Sequence, residues 1–290
     1  MTRNRQVQHP ADAARCSPRY RHALLCLGLI LLPVLARAEA DSSAGDAEQY
    51  ERNRSHYYAA IGTAVVPDYE GSAYYEVLPL VIARWIKRGA YAELVGARLR
   101  INVIPESLWQ FGPVLRWNRG RGDVDSIPVR RMEHIDGTLE AGGFFGPLLR
   151  DPDDPRRQLG LQVELLQDLG RVHKGYYLTL ELNAGTPLGE KWAINLALNS
   201  TYGSRNYMST YFGVNARDAL RSGLPAYSLS GGFGDVAFSA NLSYALGDHW
   251  GLALGGRYQR LIGAAGRSPV VAQAGSRDQF IATLMATYLY

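Results

Sequence analysis

The stretch Leu159-Gly160-Leu161-Gln162-Val163-Glu164-Leu165 sets apolar side chains on every second position, with glycine or polar residues between them, and Asp168 extends the polar set. An extended chain turns successive side chains to opposite faces, so this segment is apolar on one side and polar on the other. The same alternation recurs on either side of it. Tyr176, Leu178, Leu180 and Leu182 stand against Thr179, Glu181 and Asn183; Trp192, Ile194, Leu196 and Leu198 stand against Asn195, Asn199 and Thr201. Further along, Val236, Phe238, Leu242, Tyr244 and Leu246 oppose Asp235, Ser239, Asn241 and Ser243, and Trp250, Leu252, Leu254 and Tyr258 oppose Arg257 and Gln259. The final run sets Phe280, Ala282, Leu284, Ala286, Tyr288 and Tyr290 against Thr283 and Thr287.

A soluble sandwich alternates too, so strand length has to decide what the apolar face meets. Strands in soluble sheets commonly run ~5–6 residues, whereas a tilted strand needs ~9–11 to cross the hydrocarbon layer. Runs such as 158–169, 175–186 and 249–262 match the second figure. Past Ala38 no long apolar helix is encoded, and a chain without one crosses a bilayer only as a closed sheet. The spacing predicts strands over 56–66, 74–86, 90–103, 108–117, 137–148, 158–169, 175–186, 191–202, 232–246, 249–262 and 277–290. That is an odd number, and single-chain bacterial barrels close with an even one. The suspect segment is 90–103, whose faces swap: Leu94 is followed on the same side by Arg98, Arg100 and Asn102. A bulge at Gly96, or two short strands, explains the swap, and the expectation is an antiparallel up-and-down transmembrane barrel of twelve strands, with ten as the fallback.

Three tight connections each deliver a tryptophan at the start of the next strand: Pro105 to Trp109, Gly189 to Trp192, and Gly247 to Trp250. Aromatic rings with one wet edge collect at membrane interfaces. Trp109, Trp192 and Trp250, with the terminal Tyr288 and Tyr290, are expected at the periplasmic interface. The longer connections 118–136, 203–231 and 263–277 are expected outside.

Six arginines and one acid fall within residues 1–38, so the formal charge of +4 for the whole chain belongs to this leader; the rest carries 25 basic against 26 acidic residues. A nucleic-acid partner argued from charge is excluded. The run Ala23 to Leu35 behind Arg15, Arg19 and Arg21, closed by Ala36-Arg37-Ala38, reads as a secretory signal cut after Ala38. Residues 39–55 lack periodicity and read as a flexible lead-in, leaving 56–290 as the barrel. Cys16 and Cys26 both lie in the leader, which excludes disulfides, thiolate metal sites and cysteine nucleophiles from the remainder.

Glu76, Arg84, Arg116, Glu140, Glu164, Asp168, Glu181, Asp235 and Arg257 fall on the polar faces and are expected to line the lumen. There they would satisfy one another as ion pairs or border a path for a small solute. Catalysis has no adequate constellation. His56 and His249 sit at strand ends, His134 lies in a loop beside Glu133 and Asp136, and no spacing brings a serine to His173. Gly231-Gly232-Phe233-Gly234 has no following helix to hold a phosphate. No cofactor, metal or catalytic residue is expected. Arg116, Arg119, Arg121, Arg130 and Arg131 gather around one outer connection, where lipopolysaccharide and water are the competing neighbours.

Several motifs in order resemble the MipA/OmpV family of outer-membrane proteins. They are Pro67-Asp68-Tyr69-Glu70-Gly71-Ser72, with Val77-Leu78-Pro79-Leu80; His173-Lys174-Gly175-Tyr176; Tyr207 to Val214; Arg260-Leu261-Ile262-Gly263; Ser268-Pro269-Val270-Val271; and the closing Tyr288-Leu289-Tyr290. The resemblance covers about 56–290. It implies an outer-membrane barrel assembled by the barrel assembly machinery, which reads a terminal aromatic strand. It further implies a scaffold that brings a lytic transglycosylase together with a murein synthase. A narrow diffusion channel is the alternative, and adhesion through the outer loops is a third.

Overall fold

The computed structural model describes residues 56–105, 108–154 and 156–290. The signal segment with Ala36 and Ala38, the lead-in 39–55, and Glu106 and Ser107 of the first tryptophan turn lie outside the described residues. The strands are β1 (His56–Pro67), β2 (Tyr75–Lys87), β3 (Ala90–Val95), β4 (Arg98–Asn102), β5 (Trp109–Asn118), β6 (Thr138–Arg150), β7 (Gln158–Asp168), β8 (Tyr176–Pro187), β9 (Trp192–Gly203), β10 (Gly232–Phe233), β11 (Asp235–Ala245), β12 (Trp250–Leu261) and β13 (Asp278–Leu289). Each pairs antiparallel with its neighbour in sequence except β10 and β11, which both pair with β9; β13 returns to β1 and β8 meets β9, so the sheet closes on itself.

The barrel has twelve staves because β10 and β11 are one strand interrupted. Both pair with β9, but the register slips by one residue between Phe233↔Tyr202 and Ala237↔Asn199, and the N–H of Gly234 in the break donates to Thr201 O. This is a β-bulge. The odd strand count in the sequence is resolved at Gly96. Residues 90–103 form two strands joined by a two-residue turn, with Val95 opposite Arg98 and Gly96 at φ 55. A left-handed residue in a two-residue turn matches the twist of the flanking strands, and glycine adopts it without steric cost. The turn inverts the face, which is why Arg98 and Arg100 share the inward side with Glu93 although the running alternation broke.

The outward face carries Leu161, Leu182, Leu198, Phe238, Leu254 and Leu284, all exposed. Such a continuous apolar belt on a single chain calls for a lipid neighbour. Tyr57 lies opposite Trp85, and Trp250 opposite Tyr288, on the rim where β1 starts and β13 ends. Trp109 and Trp192 begin strands on the same rim, and the Tyr290 carbonyl accepts from Tyr57 N–H at 2.8 Å. Leu254 and Leu284 face each other at mid-height. Leu284→Arg is expected to destabilise the folded barrel by about 2–4 kcal/mol in a bilayer, measured by urea unfolding from vesicles; Thr283→Arg, facing the lumen, should cost less.

The long outer connections, expected only to lie outside, carry regular structure. They hold helices α1 (Ile127–Arg130), α2 (Arg205–Phe212), α3 (Ala216–Ser222), α4 (Gly263–Arg267) and α5 (Pro269–Ala272). Ser204 and Asn215 accept from the N–H groups of Tyr207 and Asp218 and so cap α2 and α3. Among the described residues no helix is long and apolar enough to cross a membrane.

Candidate functional site: the capped lumen

The outer end of the barrel is covered by a small domain with a core of its own. One cluster joins Ile135, Met208, Tyr211, Phe212, Leu229, Leu261, Ala265 and Val271; a second joins Tyr69, Val124, Val129, Met132, Val214, Leu224 and Val270. These side chains come from all three long connections and from the shorter one between β1 and β2. A segment this short cannot bury its apolar face alone, so the connections fold against one another. Polar ties hold the seam. Ser126 Oγ donates to Ala274 O at 2.9 Å, Asp125 N–H to Asp68 at 3.0 Å, and Tyr227 OH to Ala264 O at 2.9 Å.

Arg121, expected at the outer surface with its neighbours, is instead buried beneath this cap. It donates to Tyr211 O at 2.9 Å and its guanidinium faces the Tyr69 ring at 6.0 Å. The bridge Arg121↔Ile135 prolongs the β5–β6 hairpin inward over the mouth, and burial lowers the Arg121 pKa. Arg119, in contrast, stays exposed and pairs with Glu76 at 2.6 Å.

Beneath the cap some of the inward charges form ion pairs and others take neutral hydrogen-bond partners. Glu140 is fully buried; its carboxylate accepts from Asn118 Nδ2 at 3.0 Å and Tyr177 OH at 2.8 Å, and lies 3.9 Å from Arg116 Nε. Arg116 in turn donates to Tyr177 OH at 2.8 Å. His173 is buried too. Its Nδ1 accepts the Gly175 N–H at 3.2 Å, which leaves the proton on Nε2, 3.4 Å from Glu140 Oε1. Glu164 pairs with Arg98 and with Arg100, the latter at 3.5 Å, and Arg84 lies 3.5 Å from Glu93. Asp168 accepts from Thr138 Oγ1 at 2.5 Å and Lys174 N–H at 2.7 Å. Gln259 Nε2 bridges Glu70 and Asp235, at 3.2 and 2.7 Å, while Arg257 reaches Asn199 Oδ1 at 3.1 Å. Glu181 lies on the inward face of β8, half-buried.

An apolar layer of Tyr91, Val114, Phe144, Leu166 and Tyr177 fills the space between these pairs. Tyr207 descends from α2 onto Tyr177 and His173, with ring centroids 5.1 and 5.3 Å away. The lower lumen is emptier: inward Asn195 and Asn241 remain exposed. The arrangement is a vessel closed on its outer side and open toward the rim of the tryptophans. No group of three or more His, Cys, Asp or Glu side chains that could hold a metal occurs among the described residues.

Apart from Val77 to Leu80 on β2 and Tyr288 to Tyr290 at the tryptophan rim, the sequence motifs converge on this closure. Gly71, at φ 99, passes beneath Val271, donates to Gln279 Oε1 at 3.2 Å and accepts from Ser276 N–H at 2.8 Å. Ser268 caps α5 and donates to Phe212 O at 2.5 Å, Pro269 opens that helix, and Ser72 O accepts from Gln279 Nε2 at 2.8 Å. Pro67 and Asp68 end β1 and begin the connection that carries Tyr69 into the second cluster. A family model described as MltA-interacting protein MipA matches residues 59–290.

The chain belongs to the MipA family. It is an outer-membrane β-barrel protein of that family. Its fold is similar to that of an outer membrane channel from Pseudomonas putida F1, at 12% identity over 87% of this chain and 100% of that one, with a TM-score of 0.39. The CymD monoaromatic hydrocarbon channel is similar at 11% identity over 82% and 88% of the two chains, TM-score 0.33. Neisserial surface protein A is similar at 8% identity over 81% and 95%, TM-score 0.21. No curated protein matches the sequence.

All nine lumen charges read from the sequence of this MipA-family chain line the inside. The reading missed Glu70, Glu93, Arg98 and Arg100. The two arginines were visible as a polar face but could not be oriented before the turn at Gly96 was placed. Glu70 carried no signal, since a loop has no alternating face.

Burial and the charge of Asp235 push the Glu70 carboxyl up to about 7, against Arg116, the Tyr207 hydroxyl and Arg257, which favour ionisation. An acid whose pKa is higher folded than unfolded binds more protons in the folded state, so stability falls as pH rises from the ordinary carboxylate range through about 7. Below that range the two states are equally protonated and the effect vanishes. The cap is therefore expected to loosen between pH 5 and 8. Protection factors of amides 68–74 against exchange should fall over that interval, and Glu70→Gln should flatten the dependence and raise protection at pH 8.

Proposed function

We propose that this protein works without catalysis as an envelope scaffold, offering its periplasmic rim to murein-remodelling enzymes. The closed outer mouth carries this reading: a barrel sealed by a cored cap and by paired charges is built to hold a shape, not to pass solutes. The family description, MltA-interacting protein, supports a lytic transglycosylase as the partner, and a murein synthase would be the second. The rim suits such a role. Its turns are short, and Glu190, Lys191, Asp248 and His249 stand exposed beside the tryptophan girdle. Lipopolysaccharide would surround the opposite rim.

The test is binding of a purified MltA-type lytic transglycosylase to the barrel in lipid nanodiscs. Saturable binding is expected, and exchanging residues 188–191 and 246–249 for Gly-Ser turns should abolish it. Absence of binding to the unmodified barrel would refute the scaffold.

A further inference from the structure

The barrel wall is incomplete beside β2. That strand has 13 residues, while its neighbours β3 and β4 have 6 and 5. Pairing between β2 and β3 stops at Ile82↔Val95, with one further bond from Gly96 N–H to Val81 O at 2.9 Å. Above Val81 no described strand pairs with that edge of β2. On the other side of the gap, β5 reaches Trp117, whose N–H donates to Ala97 O at the tip of the short hairpin.

The gap lies within the bilayer. Trp85 marks the lower interface on β2. Tyr75 marks the upper one: its hydroxyl accepts from Phe280 N–H, and Phe280 packs on Tyr258 at 5.2 Å. The length of strand between Tyr75 and Trp85 matches the ~9–11 residues that span the hydrocarbon. The hairpin tip meets β2 well below Tyr75.

Composition at the gap departs from that of the lumen. β2 is apolar on both sides here: Val77, Pro79 and Val81 point outward, and Leu78, Leu80 and Ile82 point inward but stay only half-buried. Opposite these three on β1 are the small residues Ala64, Gly62 and Ala60, which complete an apolar stretch. Ion pairs delimit it, Arg119–Glu76 above and Arg84–Glu93 below. Backbone chemistry agrees. Residues on the same side as Val81 turn their N–H and C=O toward the gap, and Pro79 is one of them, so the donor that would be orphaned there does not exist. The Pro79 C=O and the Val77 N–H and C=O remain on that edge, the latter pair just beneath the Tyr75 level.

We propose that the gap between β2 and β5 is a lateral lipid site, in which an acyl chain of the surrounding outer-leaflet lipid enters the wall and lies against Leu78, Leu80 and Ile82. The outside of this wall segment is hydrocarbon, and β2 is apolar on both of its faces at the gap; these two observations select a membrane lipid over a peptide or a second barrel. The site is independent of the scaffold role.

The barrel would be reconstituted in phosphatidylcholine bearing a mid-chain diazirine, irradiated, and the adducts mapped by mass spectrometry. Adducts on the inward Leu78, Leu80 or Ile82 are expected, together with those on outward Val77 and Val81 that any lipid-facing strand would show. Leu80→Trp puts a bulky ring where the acyl chain would lie and should remove the inward adducts while leaving the outward ones, which also certify folding. Adducts on outward residues alone, no adducts on β2, or crosslinks from β2 to a second protomer would each overturn the proposal.

Discussion

Glu140→Leu is expected to lower the unfolding free energy by on the order of 3–5 kcal/mol, one of the two largest effects foreseen for a change in this barrel. The carboxylate is wholly buried and accepts from Asn118 and Tyr177, with His173 Nε2 3.4 Å away. Leucine leaves those donors facing apolar carbon. Arg116 loses its countercharge as well, but its side chain is 44% exposed, so water replaces part of that interaction. Glu140→Gln keeps one acceptor oxygen and should cost markedly less. Urea titrations followed by tryptophan fluorescence would measure both. Equal costs for the two variants would mean that shape, not hydrogen bonding, governs the site.

The second large effect is a gain. Excising residues 205–230, with a short Gly-Ser join from Ser204 to Gly231, removes α2 and α3 and with them Met208, Tyr211, Phe212, Val214, Leu224 and Leu229 from the two cap clusters. The remaining outer connections then have too little apolar surface to stay folded over the mouth. Tyr207 leaves the ring stack above Tyr177 and His173 in the same cut. The shortened barrel should show reproducible open steps in planar bilayers, since twelve staves enclose a lumen between the filled eight-stranded and the open sixteen-stranded sizes.

The wall of this molecule was legible in its sequence, because lipid demands an apolar residue at every outward position and the strand period writes that demand into alternate residues. Leu284 and Leu254 had to be apolar, and the face swap at Arg98 left a bulge at Gly96 or two short strands as its explanations. Cap residues answer to no such period. α2 buries Met208, Tyr211 and Phe212 on one face, a helical spacing present in the sequence, but it spans only 8 residues and its partners lie in connections distant along the chain. Arg121 and His173 read as loop residues for the same reason: what buries them is tertiary. Most of the motifs that revealed kinship turn out to be the cap's fastenings, with Gly71 under Val271 and Ser268 against Phe212.

Sealing of the outer mouth is the claim on which a scaffold, as opposed to a pore, depends. Single-channel recording of the unmodified barrel in planar bilayers at neutral pH tests it most directly: a silent trace under conditions where the excised variant conducts is the predicted result, and stable ohmic steps from the intact protein would contradict it.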